Sequence, residues 1–341
     1  MPLSAKRAAL YDRLRAQTSN TPLYRLENIP VPNNCAVYCK EEFKNPTSSH
    51  YDRQTLALLR YLEGEAVEPR CISPGGLPLV ETTTGSSGAS FAWLCRVLGY
   101  EATVFIPQDM PAARINQIEA YGAKVEFSTA GAYIGGLVRA FRRFSSKNRD
   151  KYDLPDHSRD ELAGPAAAGE MAMEIYDEVK RLAPGRRNGP LIDYFVVALG
   201  NGVSARGVTD VLEPKGTQII GVEPYESPTV LRSQFPEKYR KLYGESFQFA
   251  PHHVYGTGPG DDPIEFVNIS ALKGRLTDVL PVREADWLAV HRKLLDTEAK
   301  HVGNSSAACV WAALEVAKTA RPGSTICTVF YDAAWRYLPL I

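Results

Sequence analysis

The sequence predicts an α/β protein with mainly parallel sheets and helices on both sheet faces. Short apolar runs rich in β-branched and aromatic residues alternate with longer segments of helical period, which is the pattern of βαβ units. Gly99 and Gly122 end two of the helical segments, where a C-cap favours a residue free to adopt a left-handed conformation. Because 341 residues exceed the usual size of one hydrophobic core, we expect two closely packed lobes.

The predicted elements follow one another in a regular order. The first half predicts strand 77–84, helix 87–99, strand 101–107, helix 110–122 and strand 123–128. The second half predicts a helix near 164–181, strand 192–199, a helix from 202, strand 217–224, helices near 284–299 and 304–320, and strand 324–331. The segment from roughly 225 to 280 carries no strong period, so we expect irregular structure there, of a length that is often functional.

Composition argues against several classes of function. Lysine plus arginine and aspartate plus glutamate number 39 each, so no global field attracts nucleic acid or an anionic membrane. The N-terminal segment carries charges throughout and lacks the apolar region of a signal peptide, and no apolar run is long enough to span a bilayer. The six cysteines show neither zinc-type pairs nor a dense disulfide framework, so a cytoplasmic setting is expected.

Three loops follow predicted strands and open predicted helices, which is where open α/β sheets bind ligands. In the first loop, TTTGSSG, glycines admit a close backbone approach, and serines supply hydroxyls and helix-start amides. This loop would suit a carboxylate or a phosphate; the alternative is a serine-rich cap that serves only its own helix. Its residues are Thr83, Thr84, Gly85, Ser86, Ser87 and Gly88.

The second loop, GNGVS, consists of Gly200, Asn201, Gly202, Val203 and Ser204. Read as G-x-G-x-x-A with Glu223 at the end of the next strand, it matches the dinucleotide-binding pattern with its ribose-binding acid. Several βαβ units precede this loop, however, whereas that pattern usually opens the first unit. The third loop, VGNSSAAC, places Ser305 at a helix start and by itself indicates only a capped helix.

Taken together and in order, these segments resemble the cysteine synthase and cystathionine β-synthase branch of the fold-type-II pyridoxal phosphate (PLP) enzymes. The resemblance is carried, at collinear spacing over nearly the whole chain, by TPLYRL, KEEFKNPTSSHYDR, ETTTGSSG, GYEATVFIPQDMPAARINQIEAYGAKVEF, GNGVSARG, IIGVEP, GTGPGDDP, GNSSAAC and YDAAWRYL. It implies a tryptophan synthase β-like architecture with a cleft between two lobes, and a homodimer. We expect an N-terminal lobe at 36–160, mobile over roughly 85–135, and a C-terminal lobe of 1–35 with 161–341.

The resemblance breaks at the position of the Schiff-base lysine, which is Tyr51 in this chain. A phenol cannot form an imine and has a reference pKa of about 10. PLP, the cofactor expected from the family, is therefore excluded as a Schiff base at position 51. Replacement of the missing amine by Lys40 or Lys44 would require a rebuilt site, and an introduced substitution would explain Tyr51 alone.

Other family contacts also differ. In the family, the first loop holds the substrate carboxylate and the cofactor hydroxyl, and the second holds the cofactor phosphate. Ser86 stands where the family uses an asparagine, Val203 brings a Cβ where a glycine admits the phosphate, and Ala333 replaces the hydroxyl that bonds the pyridine nitrogen. The remaining cleft candidates are Asn45, Ser49, His157, Gly256, Asp261, Asp262 and Ser305.

Two of these candidates carry open alternatives. Asp261 and Asp262 replace an apolar pair of the family, and two carboxylates there would receive a cationic group or a metal, or would belong to a solvated turn. No metal site is predicted. His157 falls near a family glutamine that touches the substrate, but we expect a surface histidine.

The sequence leaves three functional interpretations open. The first is a divergent enzyme that acts on an amino-acid-like substrate by elimination, addition or group transfer without lysine-bound PLP. Tyr51 and His50 are its catalytic candidates, although neighbouring residues at a helix start are expected to point apart. The second is a non-catalytic relative that binds a small ligand or a partner protein. The third binds PLP noncovalently and acts on a preformed external aldimine.

Overall fold

The computed structural model describes residues 3–64, 71–128, 133–148, 150–157, 160–182, 189–258 and 266–337. Within these ranges, two sheets are covered by helices, and neighbouring strands are parallel except at one edge. The predicted α/β class is therefore confirmed. Asp261 and Asp262 lie outside the described residues. None of the helices in these ranges combines the length and the apolarity that a membrane crossing needs.

The strands form a larger and a smaller sheet. In chain order they are β1 (Leu23–Arg25), β2 (Ala36–Lys40), β3 (Leu79–Thr82), β4 (Ala102–Pro107), β5 (Lys124–Ser128), β6 (Tyr194–Ala198), β7 (Gln218–Pro224), β8 (Asp278–Val282) and β9 (Thr325–Val329). The larger sheet has the order β1-β2-β9-β6-β7-β8, and the smaller has the order β3-β4-β5. Most strands of the larger sheet are buried, which is why their sequences are continuous apolar runs rather than alternating ones.

The helices connect and cover these strands. In chain order they are α1 (Ala5–Gln17), α2 (Tyr51–Gly64), α3 (Ser86–Leu98), α4 (Ala112–Ala120), α5 (Tyr133–Lys147), α6 (Ala163–Leu182), α7 (Val203–Leu212), α8 (Thr229–Gln234), α9 (Pro236–Tyr243), α10 (Val267–Ser270), α11 (Glu284–Glu298) and α12 (Asn304–Thr319). Gly99 ends α3 in the left-handed conformation, with φ of 80°, as its sequence position predicts.

Two predictions about secondary structure need correction. The segment 225–280 contains α8, α9, α10 and β8, although we expected it to be irregular. Its helices are short, and α9 buries no residue, so no sustained apolar period marks them. Helix α5 was not predicted; Leu137, Val138 and Phe141 on it are buried.

The two sheets have separate hydrophobic cores. One core surrounds the larger sheet, and a second is built by β3 and β4 with α1, α2 and α3. Strand β2 pairs with β9, so residues 36–40 lie in the larger sheet rather than with the rest of 36–160. Two cores support the two-lobed architecture, while the lobe boundaries and the mobile part stay predictions.

Candidate active site

The predicted loops meet around a cavity of about 60 Å³. From the start of α2 and the first loop, its lining includes His50, Tyr51, Thr84, Ser86 and Ser87. From the second loop it includes Gly200, Asn201, Gly202 and Ser204. Gly256 and Ser305 complete the predicted residues that line it. The structure thus brings together parts of the chain that are far apart in sequence, as the collinear motifs predicted.

His50 and Tyr51 face the cavity together. Their ring centroids are 4.1 Å apart, and His50 also contacts Tyr331 edge-on at 4.9 Å. The His50 amide donates to the Tyr331 carbonyl at 2.9 Å, which fixes the entry of the chain into α2. Our expectation that the two side chains point apart is therefore wrong, because His50 lies just before the helix and does not follow helical geometry.

Burial separates the protonation states of these two groups. Burial, together with the negative charge of Asp332, raises the pKa of Tyr51 to about 12, although Arg114 opposes the shift. Burial lowers the pKa of His50 to about 3. At neutral pH the Tyr51 hydroxyl therefore keeps its proton, and the His50 ring is neutral.

His157 supports the other side of Tyr51. Its ring meets the Tyr51 ring edge-on at 5.9 Å, and its Nδ1 lies 3.2 Å from Glu81 Oε1. Burial by itself lowers the pKa of His157, but the nearby Glu81 carboxylate outweighs this effect and raises it overall. His157 is neither a surface residue, as we expected, nor part of the cavity lining; it contacts Tyr51 from behind.

The first loop combines a cap with free amides. Thr83 Oγ1 accepts hydrogen bonds from the amides of Gly85 and Gly88 at 2.8 and 3.0 Å, so the capping alternative holds for this residue. Within the described ranges, the amides of Ser86 and Ser87 have no acceptor. They lie at the N-terminus of α3 and line the cavity, where an anion would be favoured.

The second loop keeps its backbone approach despite the valine. The Val203 amide donates to Asn201 Oδ1 at 3.1 Å, and its side chain packs towards α6, where a Cβ on Gly164 would lie 2.8 Å from Val203 Cγ1. The Val203 side chain therefore does not intrude on the cavity, contrary to our expectation. A Cβ on Gly200 would lie 2.1 Å from the Gly256 carbonyl oxygen, so a glycine is needed there.

The dinucleotide alternative is not supported by Glu223. This residue is buried, and its two carboxylate oxygens accept hydrogen bonds from the amides of Val230 and Leu231 at 2.7 and 2.9 Å. Burial raises the pKa of Glu223 to about 8. Its role is to hold the start of α8, which leaves it badly placed to receive a ribose.

The other candidates lie outside the lining. Asn45 donates to Glu42 at 2.8 Å, and the Ser49 hydroxyl accepts from the Tyr51 amide at 3.3 Å, so both stabilise the segment before α2. Ala333 also lies outside it; its amide donates to the Ser48 carbonyl. Ser305, which was predicted separately as a cleft residue, does line the cavity.

Sequence reasoning missed two charged residues in the cavity, Arg114 and Asp332. Arg114 Nη1 donates to the Thr84 carbonyl at 2.5 Å, and Arg114 Nη2 lies 3.9 Å from Asp332 Oδ2. Both side chains are almost fully buried. The signal for Arg114 was present, since it precedes the buried Ile118 by one helical turn and therefore lies on the apolar face of α4.

Lysine-anchored PLP does not fit this cavity. Among the described residues no lysine lines it: Lys40 is buried elsewhere, 3.0 Å from Glu174, and Lys44 lies over the Phe43 ring. Ser86, at the position of the family's asparagine, donates to Asp332 Oδ2 at 2.7 Å instead of being free for the cofactor hydroxyl. We therefore derive no step through this cofactor.

Comparisons with known proteins agree with this architecture. The family described as pyridoxal-phosphate dependent enzyme matches residues 14–332. A cysteine synthase of Staphylococcus aureus strain Mu50 is 28% identical over 335 residues, with 96% of this chain and 95% of that protein covered. The O-acetylserine dependent cystathionine β-synthase from Helicobacter pylori is 25% identical with a TM-score of 0.77, covering 95% of this chain and 96% of that chain. A hydrogen sulfide-producing enzyme from Fusobacterium nucleatum is also 25% identical, with a TM-score of 0.76 and coverage of 95% and 99%.

Proposed function

The chain belongs to the pyridoxal-phosphate dependent enzyme family, and from this premise we propose that it is a lyase- or transferase-type enzyme that acts on an amino-acid-like substrate without lysine-bound PLP. The cysteine synthase and the O-acetylserine dependent enzyme among its relatives support the amino-acid substrate. The observation that carries the proposal is Tyr51, which stands at the lysine position and lines the cavity beside His50.

Tyr51 and His50 have different roles in the proposed reaction. Because the pKa of Tyr51 is raised to about 12, its hydroxyl holds a proton that it can donate to a leaving group. Because burial lowers the pKa of His50 to about 3, its ring stays neutral at pH 7 and is a weak base. The neutral ring can therefore accept a hydrogen bond from a substrate group without taking up its proton.

The first loop supplies binding and charge stabilisation. The free amides of Ser86 and Ser87 at the start of α3 would hold the substrate carboxylate and fix its orientation relative to Tyr51. Buried residues surround these amides, which strengthens their electrostatic effect on a bound anion.

We also propose a homodimer and a reducing, cytoplasmic setting. The homodimer follows from the family resemblance. The reducing setting is supported by Cys35, Cys39, Cys95, Cys309 and Cys327, which form no disulfide bond within the described part of the chain.

Turnover by Tyr51→Phe tests this proposal. We would incubate the purified protein with O-acetyl-L-serine and sulfide, without added PLP, and follow product formation by mass spectrometry. Loss of the phenol proton should reduce turnover by at least roughly 100-fold. Tyr176→Phe is the matched control, because Tyr176 lies outside the cavity lining and should keep full activity.

Three outcomes separate the interpretations. Full turnover by Tyr51→Phe would contradict the catalytic role of Tyr51. Turnover that appears only after PLP is added would favour a noncovalently bound cofactor. Amino-acid binding by the wild-type protein without any turnover would favour the non-catalytic relative.

A further inference from the structure

We propose that Arg114 and Asp332 form a paired receptor for the charged head group of a free amino acid, with Arg114 binding the carboxylate and Asp332 the ammonium group. This inference rests on the proposed function and deepens it, because it names the groups that recognise the substrate. It concerns a ligand whose amine has not been converted into an imine.

Arg114 is an incompletely paired cation inside the protein. Its side chain is 2% exposed, and its guanidinium lies beside the rings of Tyr337 and Tyr255, at 4.4 and 5.0 Å from their centroids. Of its donor nitrogens, Nη1 bonds the Thr84 carbonyl, whereas Nε is buried with no partner within the described ranges. A buried guanidinium with unused donors in a cavity wall is a receptor for an anion.

The position of Arg114 suits the α-carboxylate in particular. Its contact with the Thr84 carbonyl places the guanidinium directly beside the free amides of Ser86 and Ser87. A carboxylate there would meet backbone N–H donors at a helix N-terminus as well as a full positive charge. Arg114 therefore reinforces the anion site that the first loop forms.

Asp332 offers the opposite charge and can accept further hydrogen bonds. Ser86 Oγ donates to its Oδ2 at 2.7 Å, and the Tyr337 hydroxyl lies 3.0 and 2.8 Å from Oδ1 and Oδ2. An ionised carboxylate accepts at about four lone-pair sites, so two neutral donors do not saturate it. Asp332 lines the cavity, where an ammonium group would find a charged acceptor.

The spacing between the two charges favours an inserted ligand. Arg114 Nη2 and Asp332 Oδ2 are 3.9 Å apart, longer than the roughly 2.7–2.9 Å of a charge-assisted hydrogen bond. The pair is thus close enough to be attracted but does not close on itself. The head group of an amino acid has its two charges in the reverse order, so it can satisfy both residues at once.

Tyr51 makes this arrangement necessary. Where an amine condenses with an aldehyde, its nitrogen is held by a covalent bond and needs no carboxylate to bind it. At a site whose lysine position is a tyrosine, the substrate keeps a charged ammonium group, and burying that charge without a partner is costly.

Binding of three small molecules to the purified full chain tests the inference. L-Alanine carries both charges, propionate lacks the ammonium group, and ethylamine lacks the carboxylate, while both analogues keep the methyl group of alanine. Isothermal titration calorimetry should show that L-alanine binds at least roughly tenfold more tightly than either analogue, since each lost charged contact removes a charge-assisted interaction. Equal binding of the three compounds, or no binding of L-alanine, would overturn the inference.

Two variants test which residue binds the carboxylate and which binds the ammonium group. Arg114→Gln should lower the affinity for L-alanine roughly ten- to a hundredfold and abolish the preference over ethylamine, and Asp332→Asn should abolish the preference over propionate. Arg275→Gln and Asp210→Asn, which break an ion pair of 2.6 Å outside the cavity, should change nothing. Unchanged preferences in the two cavity variants would contradict the assignment.

Circular dichroism would establish that the variants fold. If a variant does not fold, the binding of the three compounds to the wild-type protein still decides the inference. Failure of this inference is distinguishable from failure of the proposed function. Charge-independent binding with Tyr51-dependent turnover would refute only the receptor. Charge-dependent L-alanine binding in a protein whose turnover requires PLP would refute only the cofactor-free function.

Discussion

Ser86 donates a hydrogen bond of 2.7 Å to Asp332 across the cleft, joining the start of α3 to the segment after β9. Both side chains are buried, at 8% and 4% exposed. In the related family an asparagine at the position of Ser86 meets the cofactor, whereas here the serine meets a carboxylate of the chain itself. The cleft is therefore bridged by its own residues, beside Tyr51 at the lysine position.

Replacement of Gly303 should disturb this bridge. A Cβ at Gly303 would lie 2.0 Å from Asp332 Oδ1 and 2.7 Å from the Tyr337 ring. Gly303→Ala should therefore lower the free energy of unfolding by about 1–3 kcal/mol and weaken L-alanine binding. Urea unfolding and calorimetry would measure the two effects. Gly169→Ala is the control, because its Cβ would meet a Val211 methyl at 3.1 Å and the Gly207 carbonyl oxygen at 3.4 Å, both much farther away than Asp332 is from Gly303; equal behaviour of the two variants would contradict the packing described for Asp332.

Replacement of Val203 should reduce stability without improving anion binding. The Val203 side chain is 2% exposed and packs towards Gly164 on α6 rather than into the cavity. Val203→Gly would therefore lose buried apolar surface and should cost about 2 kcal/mol or more. The affinity for inorganic phosphate, measured by calorimetry, should not rise. A clear gain in phosphate affinity would show that the valine does obstruct the loop.

Much of the scaffold could be predicted because its signals are local. The apolar runs of β6, β7 and β9 and the glycine after α3 identify their elements within a few residues. Helix α5 and the short helices of 225–280 escaped prediction because tertiary contacts rather than a long apolar period determine them.

The sequence predicts which segments form the site, but not which of their side chains contact one another. Tyr51 and the loop glycines stand out in the sequence, and the structure places them around one cavity. Which way Val203 turns depends on packing against Gly164, 39 residues earlier, and the Ser86–Asp332 bond joins residues 246 positions apart. Arg114 escaped notice because an arginine on a helix is usually solvent-exposed, whereas this one lies on the buried face of α4.

His50 should make the protein less stable in acid. The pKa of its ring falls from 6.5 to about 3 on burial, so between these values the unfolded chain binds the proton more readily than the folded one. The free energy of unfolding should therefore fall as the pH drops from 6.5 towards 3, by up to ~1.4 kcal/mol per pH unit from this group.

Urea unfolding of the wild-type protein and of two histidine variants between about pH 4 and pH 7 would measure this contribution. In His50→Gln, the free energy of unfolding should fall less steeply with decreasing pH than in the wild-type protein. His301→Gln, at an exposed histidine, should keep the wild-type slope. If His50→Gln and the wild-type protein showed the same pH dependence, His50 would not be a buried neutral ring.

A lysine restored at position 51 should not restore an internal aldimine. Tyr51→Lys supplies an amine but leaves the Ser86–Asp332 bridge in place, so Ser86 still bonds a carboxylate of the chain and is not free for the cofactor hydroxyl. After incubation with PLP, the absorbance spectrum should show free cofactor only. An aldimine band that persists through gel filtration would mean that the tyrosine at position 51 is the only change that prevents this cleft from binding PLP as its relatives do.

The most direct test of the account is the intact mass of the native protein after incubation with PLP and reduction by borohydride. Reduction converts any lysine–PLP imine into a stable covalent adduct that peptide mapping assigns to a residue. We predict that, after gel filtration, the wild-type protein has the unmodified mass and shows no aldimine absorbance. A phosphopyridoxyl adduct on any lysine of the cleft, formed in stoichiometric amount, would contradict the account.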